Sequence, residues 1–212
     1  MSRGELQAGA ALGSGLELRR EGDGSVTVQG RFPYNVTATL SDGGRNGRPQ
    51  KERIARGAFN YAIEDPDRDI HFLAGHSFDK PLASKRSGTL SFNETGEALL
   101  IAATITPAIL RAQYAQDAVA QVESGLAVGL SPGFRLPPER AVPRSQAETF
   151  EDEEINPDVG MHGARIRTIR EAILIEMSLV TRPAYEEAGV ELKRSIEAPD
   201  AGLRRALYRW RA

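Results

Sequence analysis

Apolar and polar residues alternate with a period of two over much of the middle of this chain. "SVTVQGRF" (25–32), "NVTATL" (35–40), "DIHFLAG" (69–75), "GTLSF" (88–92) and "ALLIAATI" (98–105) are predicted strands, and "ARGAFNYAI" (55–63) a short helix. Thr106 before Pro107 is a helix start, and Ala108, Ala112, Ala115, Val119, Val122 and Leu126 then recur at helical spacing until Gly125 marks the stop. After it, "AVGLSPGFRL" (127–136), "ARIRTIRE" (164–171) and "AILIEMSLV" (172–180) read as strands, with a long acidic, proline-containing loop between the first and second. A short helix, "AYEEAGVELKR" (184–194), closes the patterned region. Strands this frequent, with few helices between them, predict an α+β chain that is mainly β rather than a doubly wound parallel sheet.

The ends differ from this middle. Residues 1–24 are rich in Gly, Ala and charge without sustained periodicity, and predict a mobile tail ahead of a domain spanning 25–193. Residues 40–50, "LSDGGRNGRPQ", predict a mobile loop, and "EDEE" (151–154) a solvated one. In 194–212, Leu203, Ala206, Leu207 and Trp210 fall on one helical face with Arg204, Arg205, Arg209 and Arg211 elsewhere, which predicts a short basic amphipathic helix in a C-terminal tail.

Composition narrows the chemistry. A chain of 212 residues, 40% hydrophobic, can bury one sizeable core. Its formal net charge of −2 offers no bulk attraction to nucleic acid or an anionic membrane. The absence of cysteine excludes a thiol nucleophile, disulfides and cysteine-ligated metals. No apolar run is long enough to span a bilayer or to act as a signal peptide, so a cytosolic origin is expected.

Three residues stand out. Ser131, in "GLSPGF", sits in the G-x-S-x-G pattern of hydrolase nucleophiles, but Pro132 has no N–H to offer an oxyanion and "FRLPPER" cannot open the helix that such an elbow needs. A plain turn serine is the simpler reading of that motif alone. Glu176 is the single charge in an otherwise apolar strand, on a face shared by alternation with Ala172, Leu174, Ser178 and Val180. Buried there it needs a partner: an arginine such as Arg170 or Arg182, or a histidine that it orients. Of the three histidines, His76 lies in phase with Ile70, Phe72 and Ala74 at the end of an apolar strand, whereas His71 shares a face with Asp69 and is expected to be solvated or locally paired. A histidine holding the turn before Pro81 is the structural alternative for His76. His162 with Asp158 would serve Ser131 in an esterase-like arrangement, and no spacing in the chain suggests a metal site.

Taken together, "ERIARGAF", "HFLAGHSFDKPL", "GLAVGLSPGF" and "EMSLVTRPAYEEAGV", in this order from about Val26 to Lys193, resemble the prohead (capsid maturation) protease family of tailed bacteriophages. That family is regarded as related to the herpesvirus capsid maturation proteases, so the resemblance implies a mixed β-barrel flanked by a few helices. It implies a serine endopeptidase whose histidine is His76, whose serine is Ser131 and whose acid is Glu176. Ser77 stands where the family often has an acidic residue. Because Pro132 has no N–H, Gly133 becomes a candidate oxyanion-hole donor. The implied substrates and partners are the major capsid protein with its scaffold segment, or a separate scaffolding protein, and the protease itself. The implied place is inside the immature capsid in the host cytoplasm. No cofactor, nucleic acid or membrane enters this reading; a homo-oligomer is compatible with it. The rival classes are an esterase-like hydrolase using His162 and a non-catalytic capsid assembly or scaffold protein.

Overall fold

The computed structural model describes residues 16–183 and 185, apart from 46, 157, 159 and 160. The expected closing helix (184–194) and basic C-terminal helix lie almost wholly outside these residues. Three four-stranded sheets and a two-stranded ribbon carry the fold. The first sheet joins β1 (Glu17–Arg20), β2 (Val26–Pro33), β8 (Ala98–Ile105) and β7 (Leu90–Glu94), all antiparallel. The second has the order β10 (Glu148–Asp152), β13 (Arg165–Ile169), β4 (Gln50–Ile54) and β3 (Thr37–Ser41), with β13 and β4 parallel. The third, which holds the candidate site, runs β6 (Ser77–Ser84), β5 (His71–Ala74), β14 (Ile173–Val180), β9 (Gly129–Arg135); its β14 pairs parallel with β5 and antiparallel with β9. The ribbon is β11 (Ile155–Asn156) with β12 (Met161–His162). Among the described residues the α-helices are α1 (Asn60–Glu64), α2 (Gln113–Glu123) and the single turn α3 (Arg144–Ala147). The mainly β reading holds; the strand ladders form separate sheets, none closed on itself among the described residues.

Several expectations shift. Within the expected tail, Leu16 and Leu18 are buried in the core and β1 pairs with β2. The helix expected from Thr106 begins later. The Thr106 hydroxyl does accept from Ile109 N–H at 3.4 Å, but it caps a single 3-10 turn, and Ala112, at ψ 135°, breaks the spiral before α2 starts. From there Ala115, Ala118, Val119 and Val122 line one buried face, and Gly125, at φ +69°, ends the helix as expected. "EDEE" is not a loop: its first half lies in β10, where Glu151 pairs with Arg53 on β4, and Glu153 just beyond pairs with Lys51. The Lys51 ammonium holds the Glu153 carboxyl below the usual carboxylate range.

Two aromatic residues tie the sheets together. Phe32, fully buried, meets Phe59 and lies edge-on to Tyr185 at 5.1 Å. Tyr185, just after β14, donates its hydroxyl to Glu52 Oε1 at 2.9 Å, and Glu52 is bridged through Arg167 (3.0 Å) to Glu148. Burial, then the neighbouring Glu52 carboxylate, pushes the Tyr185 hydroxyl upward in pKa, so it stays a donor. Tyr185→Phe leaves a buried carboxylate one donor short and is expected to cost about 1.5–3 kcal/mol. A lower urea midpoint at unchanged slope is the measurement that checks it.

Candidate active site

β5 and β6 are joined by two residues only, Gly75 and His76, with Ala74 registered against Ser77. Both have left-handed backbones, at φ +62° and +59°, which is the hairpin turn whose twist matches the flanking strands. Glycine enters that region freely, whereas histidine bears a cost on the order of 1 kcal/mol. Two hydrogen bonds from β14 offset it: Gly75 N–H donates to Leu179 O at 3.0 Å, and His76 N–H donates to Ser178 Oγ at 3.0 Å. His76 therefore does not continue the period-two face of β5, as the pattern predicted. It is the turn itself, which leaves its ring 46% exposed while its backbone is fixed.

Glu176 lies opposite in character, buried in the central strand with 5% of its side chain exposed. Its two oxygens have separate partners: Oε1 is 2.7 Å from His76 Nδ1, and Oε2 accepts from Ser178 Oγ at 2.7 Å. No arginine pairs with it among the described residues; Arg170 reaches Thr149 instead. A β-bulge aims the carboxylate. The β14–β9 register steps from Leu174↔Phe134 to Glu176↔Gly133, so Ile175 is an extra residue in β14. Alternation alone placed Leu174 with Glu176; the bulge puts Leu174 in the core with Met177 and Leu179 and turns Glu176 to the other side with Ser178.

Across the same ladder, Ser131 is registered with Ser178 and Gly133 with Glu176. Directly opposed residues of an antiparallel pair share a face, so half-buried Ser131 lies on the side that carries Glu176, Ser178 and the His76 turn. Ser131 Oγ makes no hydrogen bond to His76 among the described residues. Gly133 has a steric duty apart from any role of its N–H, because a Cβ there would lie 1.9 Å from Glu176 Oε1. Gly129 does the same for Pro183, whose Cγ would be 2.6 Å from an added Cβ. The "GLS-x-GF" and "E-x-SLVT-x-PA" motifs are thus two halves of one packed ladder.

The remaining candidates stay apart. Ser131 is the third residue of a continuous strand, not a strand-to-helix elbow, and no helix follows β9 directly. His162 is exposed on the separate β11–β12 ribbon, its N–H donating to Glu153, so the arrangement with Asp158 gains no geometry. His71 pairs locally with Asp69 at 3.8 Å and touches Phe78 edge-on. Sequence reasoning placed Ser178 on the Glu176 face without giving it a task; the E-x-S spacing was the available signal. Among the described residues no group of three or more His, Asp or Glu could hold a metal ion, and no helix is long and apolar enough to cross a membrane.

With the ladder in place, the comparison with known families decides the identity: the pattern that defines the caudovirus prohead serine proteases matches residues 34–201. The chain belongs to that family. No curated protein and no solved structure matches it. The matched span takes in the His76 turn, β9, the bulge in β14 and Tyr185, so every residue of the buried ladder lies inside the prohead protease region. Membership makes phage capsid maturation the setting, with serine peptidase chemistry and association with capsid proteins inside an immature shell.

Proposed function

We propose that the chain is a serine endopeptidase of prohead maturation with Ser131 as nucleophile, His76 as general base and Glu176 as the acid that orients it. The observation that carries this is the 2.7 Å contact of His76 Nδ1 with Glu176 Oε1 on the face that also bears Ser131. With Nδ1–H donating to the buried carboxylate, Nε2 keeps its lone pair for the serine proton. Ser131 Oγ attacks the peptide carbonyl as His76 takes that proton; His76 then returns it to the leaving amine, and water hydrolyses the acyl-enzyme by the same route. The serine–histidine contact forms as substrate seats, as such contacts commonly tighten on binding. Pro132 can give the oxyanion nothing, so Gly133 N–H is the candidate donor on β9, a contribution on the order of 3 kcal/mol. The mixed β-barrel of the implied relatives belongs with this reading.

Ser178 positions both other groups. Ser178→Ala removes the acceptor of the His76 N–H and a donor to Glu176 at once. We expect kcat to fall roughly 10- to 100-fold with KM little changed, read from steady-state kinetics on a peptide substrate. Ser178→Thr, which keeps the hydroxyl, recovers most of it.

The substrates under this reading are the scaffold segment of the major capsid protein or a separate scaffolding protein, and the protease itself. Co-expression with the capsid protein encoded beside it, followed by intact-mass measurement, tests this. Shortened capsid protein is expected with the native chain and not with Ser131→Ala. Equal shortening by both would remove the assignment in favour of a non-catalytic assembly role.

A further inference from the structure

β9 ends at Arg135, four residues from Ser131 and about 13 Å along the strand at roughly 3.3 Å per residue. A cleft of about 750 Å³ opens there, lined by Arg68, Arg135, Arg140 and Arg170 against two acids, Glu64 and Glu171. Neither acid forms an ion pair with any of these arginines among the described residues. Arg68 Nε is buried with no hydrogen-bond partner, although it forms an ion pair with Asp65 at 3.5 Å and its guanidinium lies over the Tyr61 ring. Arg170 makes one long contact, 3.4 Å to Thr149 Oγ1, and Arg135 and Arg140 make no side-chain hydrogen bond or ion pair among the described residues. With Arg68 balanced by Asp65, the free positive charge of the concavity among the described residues rests on Arg135, Arg140 and Arg170, set against Glu64 and Glu171, in a chain whose overall charge is −2. Guanidinium groups in that setting select carboxylates, which they can grip bidentately.

The strand leading to the cleft says what kind of molecule brings the carboxylate. β9 is the edge of its sheet, and among the described residues its outer side has no strand partner. An extended peptide can add to that edge through its own backbone, past Ser131 and on to Arg135. A nucleic-acid strand has no use for such a row of N–H and C=O groups.

We propose that the arginine cleft receives an acidic stretch of the polypeptide substrate, an Asp or Glu some four residues from the scissile bond. Sites of cleavage are then chosen by remote charge as well as at Ser131. The link to cleavage rests on the endopeptidase reading above; the affinity of the cleft for acidic peptide does not.

Both parts are tested on the full chain. First, Ser131→Ala protein is titrated with a fluorescein-labelled octaglutamate peptide and followed by anisotropy. Saturable binding is expected, weakened roughly tenfold or more when Arg135→Ala and Arg140→Ala are added. Both positions are exposed, and thermal melting checks that the variant folds; should it not, Arg140→Glu alone provides the comparison. Absent binding, binding unchanged by these substitutions, or an equally tight grip on an octathymidylate that the same substitutions weaken would overturn the acidic-peptide site. Second, the active chain is given a tryptic peptide library and the new termini are read by mass spectrometry. Asp and Glu should be enriched three to five residues from the cut, and the enrichment lost in the double variant. Cleavage without that enrichment overturns the substrate role. No cleavage at all counts against the endopeptidase reading, and the titration alone then decides the cleft.

Discussion

Ser131→Ala is expected to abolish peptide-bond cleavage, lowering kcat/KM by about 10⁴-fold or more, while melting within a degree or two of the native chain. The side chain is half-buried on an edge strand and, among the described residues, makes no hydrogen bond to another side chain, so the fold loses little when the hydroxyl goes. His76 needs a more careful substitution. Its backbone sits at φ +59°, where alanine is strained, but asparagine adopts that region readily and keeps the turn. His76→Asn should therefore preserve the hairpin and remove only the imidazole, with a loss of similar size. Peptide hydrolysis and thermal unfolding measured together on both variants check the assignment. Full activity in His76→Asn with loss in His162→Ala would transfer the base to the β11–β12 ribbon and revive the esterase-like arrangement.

Glu176→Gln is expected to cost about 10⁴-fold in kcat with the fold retained. The amide matches the carboxylate in shape and still accepts from Ser178. Its NH₂ favours the imidazole tautomer with the lone pair on the wrong nitrogen, however, and it cannot balance the imidazolium formed during attack. A purely structural carboxylate would give the opposite result, lower thermal stability with activity preserved. Gly133→Ala reaches the same group without changing its chemistry. The added Cβ would lie 1.9 Å from Oε1, so the carboxylate must move off His76 Nδ1, and activity should fall with it. Loss is expected in both variants; activity that survives both would remove Glu176 from the mechanism.

Much of this was visible in the sequence where burial follows a simple period. The central parts of β2, β8 and β14 were legible because their apolar residues meet a core on at least one face, and Glu176 was conspicuous because nothing else in β14 is charged. β4 and β10 were not legible. "QKERI" and "ETFED" look solvated, and only tertiary pairing, Glu52 with Arg167 and Glu151 with Arg53, makes strands of them. The bulge at Ile175 escaped for a different reason: one extra residue reverses every later side chain, and no composition marks it. His76 was chosen for a face it does not occupy. Glycine followed by histidine is an uncommon filling for a two-residue hairpin, and the hydroxyl that holds it comes from residue 178, far along the chain.

The strand order of the third sheet sets a timetable. His76 and Glu176 are 100 residues apart in sequence. β5 and β9 are not neighbours; they meet through β14, the last strand among the described residues to be synthesised, which lies between them. A nascent chain emerging from the ribosome can therefore carry His76 and expose Ser131 while remaining inert, because the strand that fixes the His76 turn and supplies Glu176 has not arrived. Under the endopeptidase reading, the enzyme carries no hydrolytic hazard for itself or its translating neighbours until nearly all of the described chain is made, and a premature stop anywhere before Glu176 releases a harmless product.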